Sequence, residues 1–144
     1  MRIALSLALA ALLFACGRSE TSAPPVSAPP PSAAPAPARV AAIELGNAIG
    51  SDKRVTAAAD AFAPADTIYA SIATEGSSPS LTLTARWTYE DGQLVNETSE
   101  TIAPTGPATT EFHIAKPDGF PPGRYTLVIT ANGEPAGTRQ FEVR

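Results

Sequence analysis

The clearest pattern in this chain is a strict alternation of apolar and polar positions. Leu81, Leu83, Ala85, Trp87 and Tyr89 are apolar, and Thr82, Thr84, Arg86, Thr88 and Glu90 between them are polar. Successive side chains of a β-strand point to opposite faces, so the alternation predicts a strand with one buried and one wet face. Asp91-Gly92 follows at once. That pair suits the positive φ angles of a two-residue hairpin turn, and Gln93-Leu94-Val95 then reads as the start of a partner strand. A second such unit closes the sequence, with Tyr125, Leu127, Ile129 and Ala131 set against Thr126, Val128 and Thr130. Asn132-Gly133 supplies its turn, and the chain returns through Phe141 and Val143.

Between these hairpins Thr110, Phe112 and Ile114 alternate with Thr109, Glu111 and His113, and Ile68, Ala70 and Ile72 do the same within residues 66–75. Weaker runs at 40–45 and 53–56 add one or two strands, for a total of seven or eight. The Ala-rich stretch 55–63 fits either a strand or a helical turn. Short strands at this spacing, broken by Gly, Pro, Asn and Asp, predict an all-β, antiparallel sandwich over residues 39–144.

The N-terminal part has a different grammar. Met1-Arg2 is followed by an apolar run at 3–15, which fits the core of a signal peptide but is too short to span a hydrocarbon layer of roughly 30 Å. Residues 17–38 carry seven prolines amid Ala and Ser. Such a composition cannot bury a core and favours polyproline II, so residues 16–38 read as a disordered Pro/Ala-rich linker reaching on the order of 60 Å at roughly 3.1 Å per residue.

Leu13-Phe14-Ala15-Cys16 resembles the lipobox of bacterial lipoproteins. The resemblance implies that the Cys16 thiol accepts a diacylglyceryl group, that residues 1–15 are cleaved away, and that the freed amine is acylated in turn. The chain is then a lipoprotein of the bacterial cell envelope, held to the membrane through the lipid on Cys16, because several acyl chains anchor a protein stably where one does not. Gly17, where aspartate would signal retention in the inner membrane, implies the outer membrane of a Gram-negative host, with the domain facing the periplasm.

The C-terminal region resembles an immunoglobulin-like domain of about seven strands. Trp87 stands mid-strand like the buried tryptophan of strand C. Gly123-Arg124-Tyr125-Thr126-Leu127 resembles the start of strand F, with Tyr125 in the tyrosine-corner place and Leu127 where antibody domains set a cysteine. Ile72 falls in the place of the other cysteine. The disulfide is missing, since Cys16 is the single cysteine of the 144 residues, and so the domain holds by packing and hydrogen bonding alone.

Candidate chemistry is sparse. The net charge of -4, slightly more negative once Arg2 is removed, repels phosphate backbones, and nucleic acid is not an expected partner. The only histidine, His113, alternates with Phe112 and Ile114 and so faces solvent; no catalytic residue, metal site or cofactor is expected. The surface that stands out is Thr-rich. If the strands bearing Trp87 and Tyr125 are neighbours, Thr82, Thr84, Arg86 and Thr88 lie beside Thr126 and Thr130 on one outward face, a candidate site for an envelope protein or polysaccharide. Threonine also suits solvent-facing strand positions for its own sake. The expected function is that of a non-catalytic, membrane-anchored interaction module; the alternative is a small periplasmic hydrolase or other enzyme built on the same scaffold.

Overall fold

The structure, a computed structural model, describes residues 34–144. The expected signal segment, Cys16 and most of the Pro/Ala-rich linker lie outside the described residues. Eight strands form, and the described residues contain no helix. They are β1 (Arg39–Gly46), β2 (Ala61–Phe62), β3 (Ile68–Glu75), β4 (Leu81–Tyr89), β5 (Gln93–Ile102), β6 (Ala108–Ile114), β7 (Gly123–Ala131) and β8 (Glu134–Val143).

Two sheets face one another, one in the order β1-β3-β6 and the other β2-β8-β7-β4-β5. All pairings are antiparallel except that of β2 with β8. The alternation explains the layering. Leu81, Leu83, Ala85 and Trp87 of β4 and Tyr125, Leu127 and Ile129 of β7 are buried from one sheet, and Ile68, Ala70, Ile72, Phe112 and Ile114 meet them from the other. Phe141 of β8 centres an aromatic group: its ring stacks on Tyr125 at 5.2 Å and meets Trp87 edge-on at 5.9 Å. Tyr125 makes the expected corner, its hydroxyl donating to the Pro121 carbonyl four residues upstream at 2.7 Å. Ile72 and Leu127 are both fully buried, one in each sheet.

Four sequence expectations need correction. The segment 53–56 is no strand; Val55 makes only an isolated bridge to Ile49. The stretch 55–63 yields neither a helical turn nor a full strand, only the two residues of β2. Its backbone is drawn onto the end of β1 and the residues just after it instead, with Ala59 N–H on the Leu45 carbonyl and Thr56 N–H on the Ala48 carbonyl. Gly46 admits this crossing, because a side chain there would run into Val55 and the Ala57 carbonyl. The hairpin after β4 has three connecting residues rather than two, with positive φ at Glu90 and Gly92 but not at Asp91. Glu90 belongs partly to β7: its N–H bonds the Arg124 carbonyl and its carboxylate accepts the Arg124 N–H, which holds the chain in line one residue past Tyr89. Finally β5 runs for ten residues, well past the Gln93-Leu94-Val95 start visible in the sequence. Asn132-Gly133 behaves as expected, with φ of 51° and 86°.

The chain enters the sandwich before β1. Ser77 donates to the Ala36 carbonyl and accepts from Ala38 N–H, so pairing begins inside the segment expected as linker. Gly76, at φ 87°, lets the two backbones approach; a Cβ there would meet the Ala36 carbonyl oxygen at 2.6 Å.

Candidate functional site

The outward face of β4 and β7 is a ladder whose register follows from the pairing. Thr84 lies opposite Thr130, Arg86 opposite Val128 and Thr88 opposite Thr126. Thr82 lies one step further on, where its N–H donates to Asn132 Oδ1 at 2.9 Å and its carbonyl accepts the Asn132 N–H at 2.7 Å. The six candidate residues Thr82, Thr84, Arg86, Thr88, Thr126 and Thr130 therefore share one face, with Val128 among them.

Sequence reasoning expected a strand on either side but placed none of their residues on this face. On the β5 side Thr101, Ser99 and Glu97 stand opposite Thr82, Thr84 and Arg86. On the β8 side Gln140 and Thr138 stand opposite Thr126 and Val128. The face is thus four strands wide. Residues 97–101 are polar at every position, so no period-two signal marks which of them face outward.

Bonding across this face is already extensive. The hydroxyls of Thr82 and Thr101 lie 2.9 Å apart and those of Thr84 and Ser99 2.8 Å. The register accounts for it. In an antiparallel ladder a residue's N–H and C=O point to the same side, and Thr82 spends both on Asn132, so it forms a non-hydrogen-bonded pair with Thr101. In such pairs the Cα atoms are only about 4.5 Å apart, close enough for two short hydroxyl side chains to meet. Arg86 and Glu97 form an ion pair at 3.0 Å, both half exposed, which contributes less than about 1 kcal/mol. Each hydroxyl pair uses one proton between two oxygens and keeps the other proton and free lone pairs for an external group. Chemically the face is a flat, uncharged-to-zwitterionic array of donors and acceptors.

The opposite sheet turns a different surface outward. His113 is exposed, as its alternation implies, with Nδ1 2.6 Å from the Glu111 carboxylate and its ring 5.5 Å from that of Tyr69. The perturbed titrating group is structural: burial, then the neighbouring Tyr89 and Glu90, raises the pKa of Tyr125 above that of an ordinary tyrosine. Among the described residues no group of three or more His, Cys, Asp or Glu side chains is placed to hold a metal ion.

A cleft of about 390 Å³ opens at the end of the sandwich remote from Ser77, beside the start of β5, between Leu94 and Val95 on one side and Phe120 and Pro121 on the other. A larger groove of about 680 Å³ runs along β1 and β8, where Arg139 Nε donates to the Ile43 carbonyl at 2.8 Å.

No protein-family model matches the sequence, and neither does any curated protein sequence. Among solved structures the chain is similar to an immunoglobulin-like protein from Pseudomonas aeruginosa, at 16% identity and a TM-score of 0.50, over 76% of this chain and 98% of that one. Lower scores relate it to parts of two larger proteins. One is the alkylpurine DNA glycosylase AlkC of Pseudomonas fluorescens, at 17% identity and a TM-score of 0.48, over 74% of this chain. The other is a β-glucosidase from Listeria innocua, at 10% identity and a TM-score of 0.47, over 71% of this chain. The chain spans 30% of the glycosylase and 16% of the glucosidase. The likeness is one of fold, and the fold is immunoglobulin-like.

Proposed function

We propose that this protein is a membrane-anchored, non-catalytic lipoprotein of the cell envelope that presents its immunoglobulin-like domain as an interaction module. Fold alone does not assign a function, so the reading rests on placement. The observation that carries it is the way the chain joins the domain. About twenty residues after Cys16, residues 36–38 are laced to Ser77 at one end of the sandwich. An anchor on Cys16 would hold that end, leaving the four-strand polar face along the side and the loops after β4 and β6 at the far end, free to meet a partner. The donor and acceptor array over Thr82, Thr84, Arg86, Thr88, Thr126 and Thr130 suits a protein or polysaccharide surface of the envelope.

Mass spectrometry of the protein recovered from a Gram-negative envelope tests the anchoring. The expected species begins at Cys16 and carries a lipid-sized mass increment, while Cys16→Ala accumulates as uncleaved precursor. A mature N-terminus without added lipid overturns the reading. For the face, the double substitution Arg86→Ala with Thr88→Ala is expected to reduce recovery of crosslinked envelope partners by the intact lipoprotein; undiminished recovery removes the face from the proposal.

A further inference from the structure

Two large apolar side chains stand exposed among the described residues, and they are neighbours: Leu94 at 50% and Val95 at 37%. Consecutive strand residues ordinarily face opposite ways, so one packed sheet face cannot cover both. A bulge sets them here, since Trp87 pairs with Asn96 and Thr88 with Leu94, leaving Val95 the extra residue on β5. Both line the cleft walled by Phe120 and Pro121. From the same point β5 continues as the outermost strand of its sheet, and no described strand pairs with its far edge.

The register says which backbone groups that edge offers. Thr82 turns its N–H and C=O toward β7, so Thr84 and Arg86 do likewise, while Leu81, Leu83, Ala85 and Trp87 bond to β5 through Ile102, Glu100, Thr98 and Asn96. The amides and carbonyls of Glu97, Ser99 and Thr101 are then left pointing outward from the sheet. Alternate unpaired backbone groups are what an added strand requires, and the apolar side chains of Leu94, Val95 and Phe120, in a cleft of otherwise mixed lining at the end of the row, are what anchor its register. Charge narrows the occupant. Residues 90–102 contain four carboxylates and no Lys or Arg; Arg86 pairs with one of them, Glu97, and Lys116 lines the cleft, which leaves a smaller negative excess along the edge. Two copies joined edge to edge through β5 would set these charges against their own kind, whereas a basic segment would complement them.

We propose that the free edge of β5, with the cleft at Leu94 and Val95, is the docking site for an extended cationic protein segment that joins the five-stranded sheet as a further strand. The proposal rests on the reading of the domain as an interaction module but not on the Thr-rich face. Docking places an apolar residue of the partner between Leu94 and Phe120 and pairs its backbone with Glu97, Ser99 and Thr101.

The test uses the full chain in nonionic detergent and a fluorescein-labelled hexapeptide of alternating valine and lysine. Saturable binding by anisotropy is expected, together with slowed hydrogen exchange across residues 90–102. N-methylation of alternate peptide nitrogens removes the donors that strand pairing needs while keeping the charge, and is expected to weaken binding about tenfold or more, as is replacing lysine with glutamate. Leu94→Ser with Val95→Ser, at exposed positions that fold without them, is expected to cause a similar loss. Ser99→Pro removes an outward amide and no backbone bond to β4, only the hydroxyl contact with Thr84, and is expected to weaken binding to a similar degree. Equal affinity for the N-methylated peptide, or for the Leu94/Val95 double variant, overturns the proposal. So does exchange protection of β5 that rises with protein concentration and no peptide, which identifies a second copy as the occupant. If Arg86→Ala with Thr88→Ala abolishes partner recovery while the valine–lysine peptide fails to bind, the edge proposal falls and the module reading stands.

Discussion

Trp87 lies between the two sheets at 1% exposure, with Phe141 edge-on against its ring. Trp87→Ala removes that packing and leaves a cavity, with an expected cost of roughly 3–5 kcal/mol in chemical denaturation. A domain of this size has only about 5–15 kcal/mol to lose. Tyr125→Phe is a gentler probe. It deletes the hydroxyl bond to Pro121 while keeping the ring stacked on Phe141, at an expected cost of about 1 kcal/mol. Its pH signature is sharper. The folded state raises the Tyr125 pKa, so above pH 10 the native protein keeps a proton that the unfolded chain releases, and stability is lost as pH rises through the raised value. Replacing Tyr125 by Phe is expected to flatten that alkaline decline, as measured by denaturation at a series of pH values from 9 upward. Both residues were legible in the sequence because alternation marked their parity. Phe62 and Phe120 are equally buried and were not, since one sits on a two-residue strand and the other in a connection, where no period exists to read.

At the scale of the element, β5 shows how burial writes the pattern that reveals a strand. Its core-side positions Asn96 and Thr98 are exposed and Glu100 only half covered, because a three-stranded sheet facing a five-stranded one leaves the outermost strand without a roof. No apolar face is required there, and none was selected. Backbone pairing still alternates. Amide exchange by NMR is expected to be slow at Asn96, Thr98 and Glu100 and fast at Glu97, Ser99 and Thr101; uniform protection contradicts the register deduced from Thr82. The neighbouring strands carry their pattern openly, and their outward residues tolerate change. Arg86→Ala with Thr88→Ala is expected to shift stability by no more than about 0.5 kcal/mol, because the ion pair to Glu97 is solvent-screened and the Thr88 bond to the Thr126 carbonyl, at 3.3 Å, is long. A larger loss by thermal melting would mean that the ladder supports the fold as well as facing a partner.

For the whole molecule, the junction with the N-terminal segment makes a measurable difference. A fragment starting at residue 39 retains every strand and is expected to fold, as circular dichroism would report. One starting at residue 34 adds the pairing of Ala36 and Ala38 with Ser77 and the packing of Ala38 on the core, and should melt several degrees higher. Identical melting temperatures would show the junction to be inert. By itself the sequence determined the all-β class, the inward parity of β3, β4, β6 and β7 and the Asn132-Gly133 turn, because each is a local consequence of period-two burial or of a residue suited to one backbone conformation; the Tyr125 corner was legible only through the resemblance to an immunoglobulin-like strand. Tertiary structure settled the pairing of β4 with β7, which the sequence posed only as a condition, and it alone decided that residues 55–63 fold back over Gly46 and that Leu94 and Val95 gather with Phe120 at one cleft. Those outcomes join residues far apart in the chain, and sheet order and sheet width, which no local period encodes, set which of them meet.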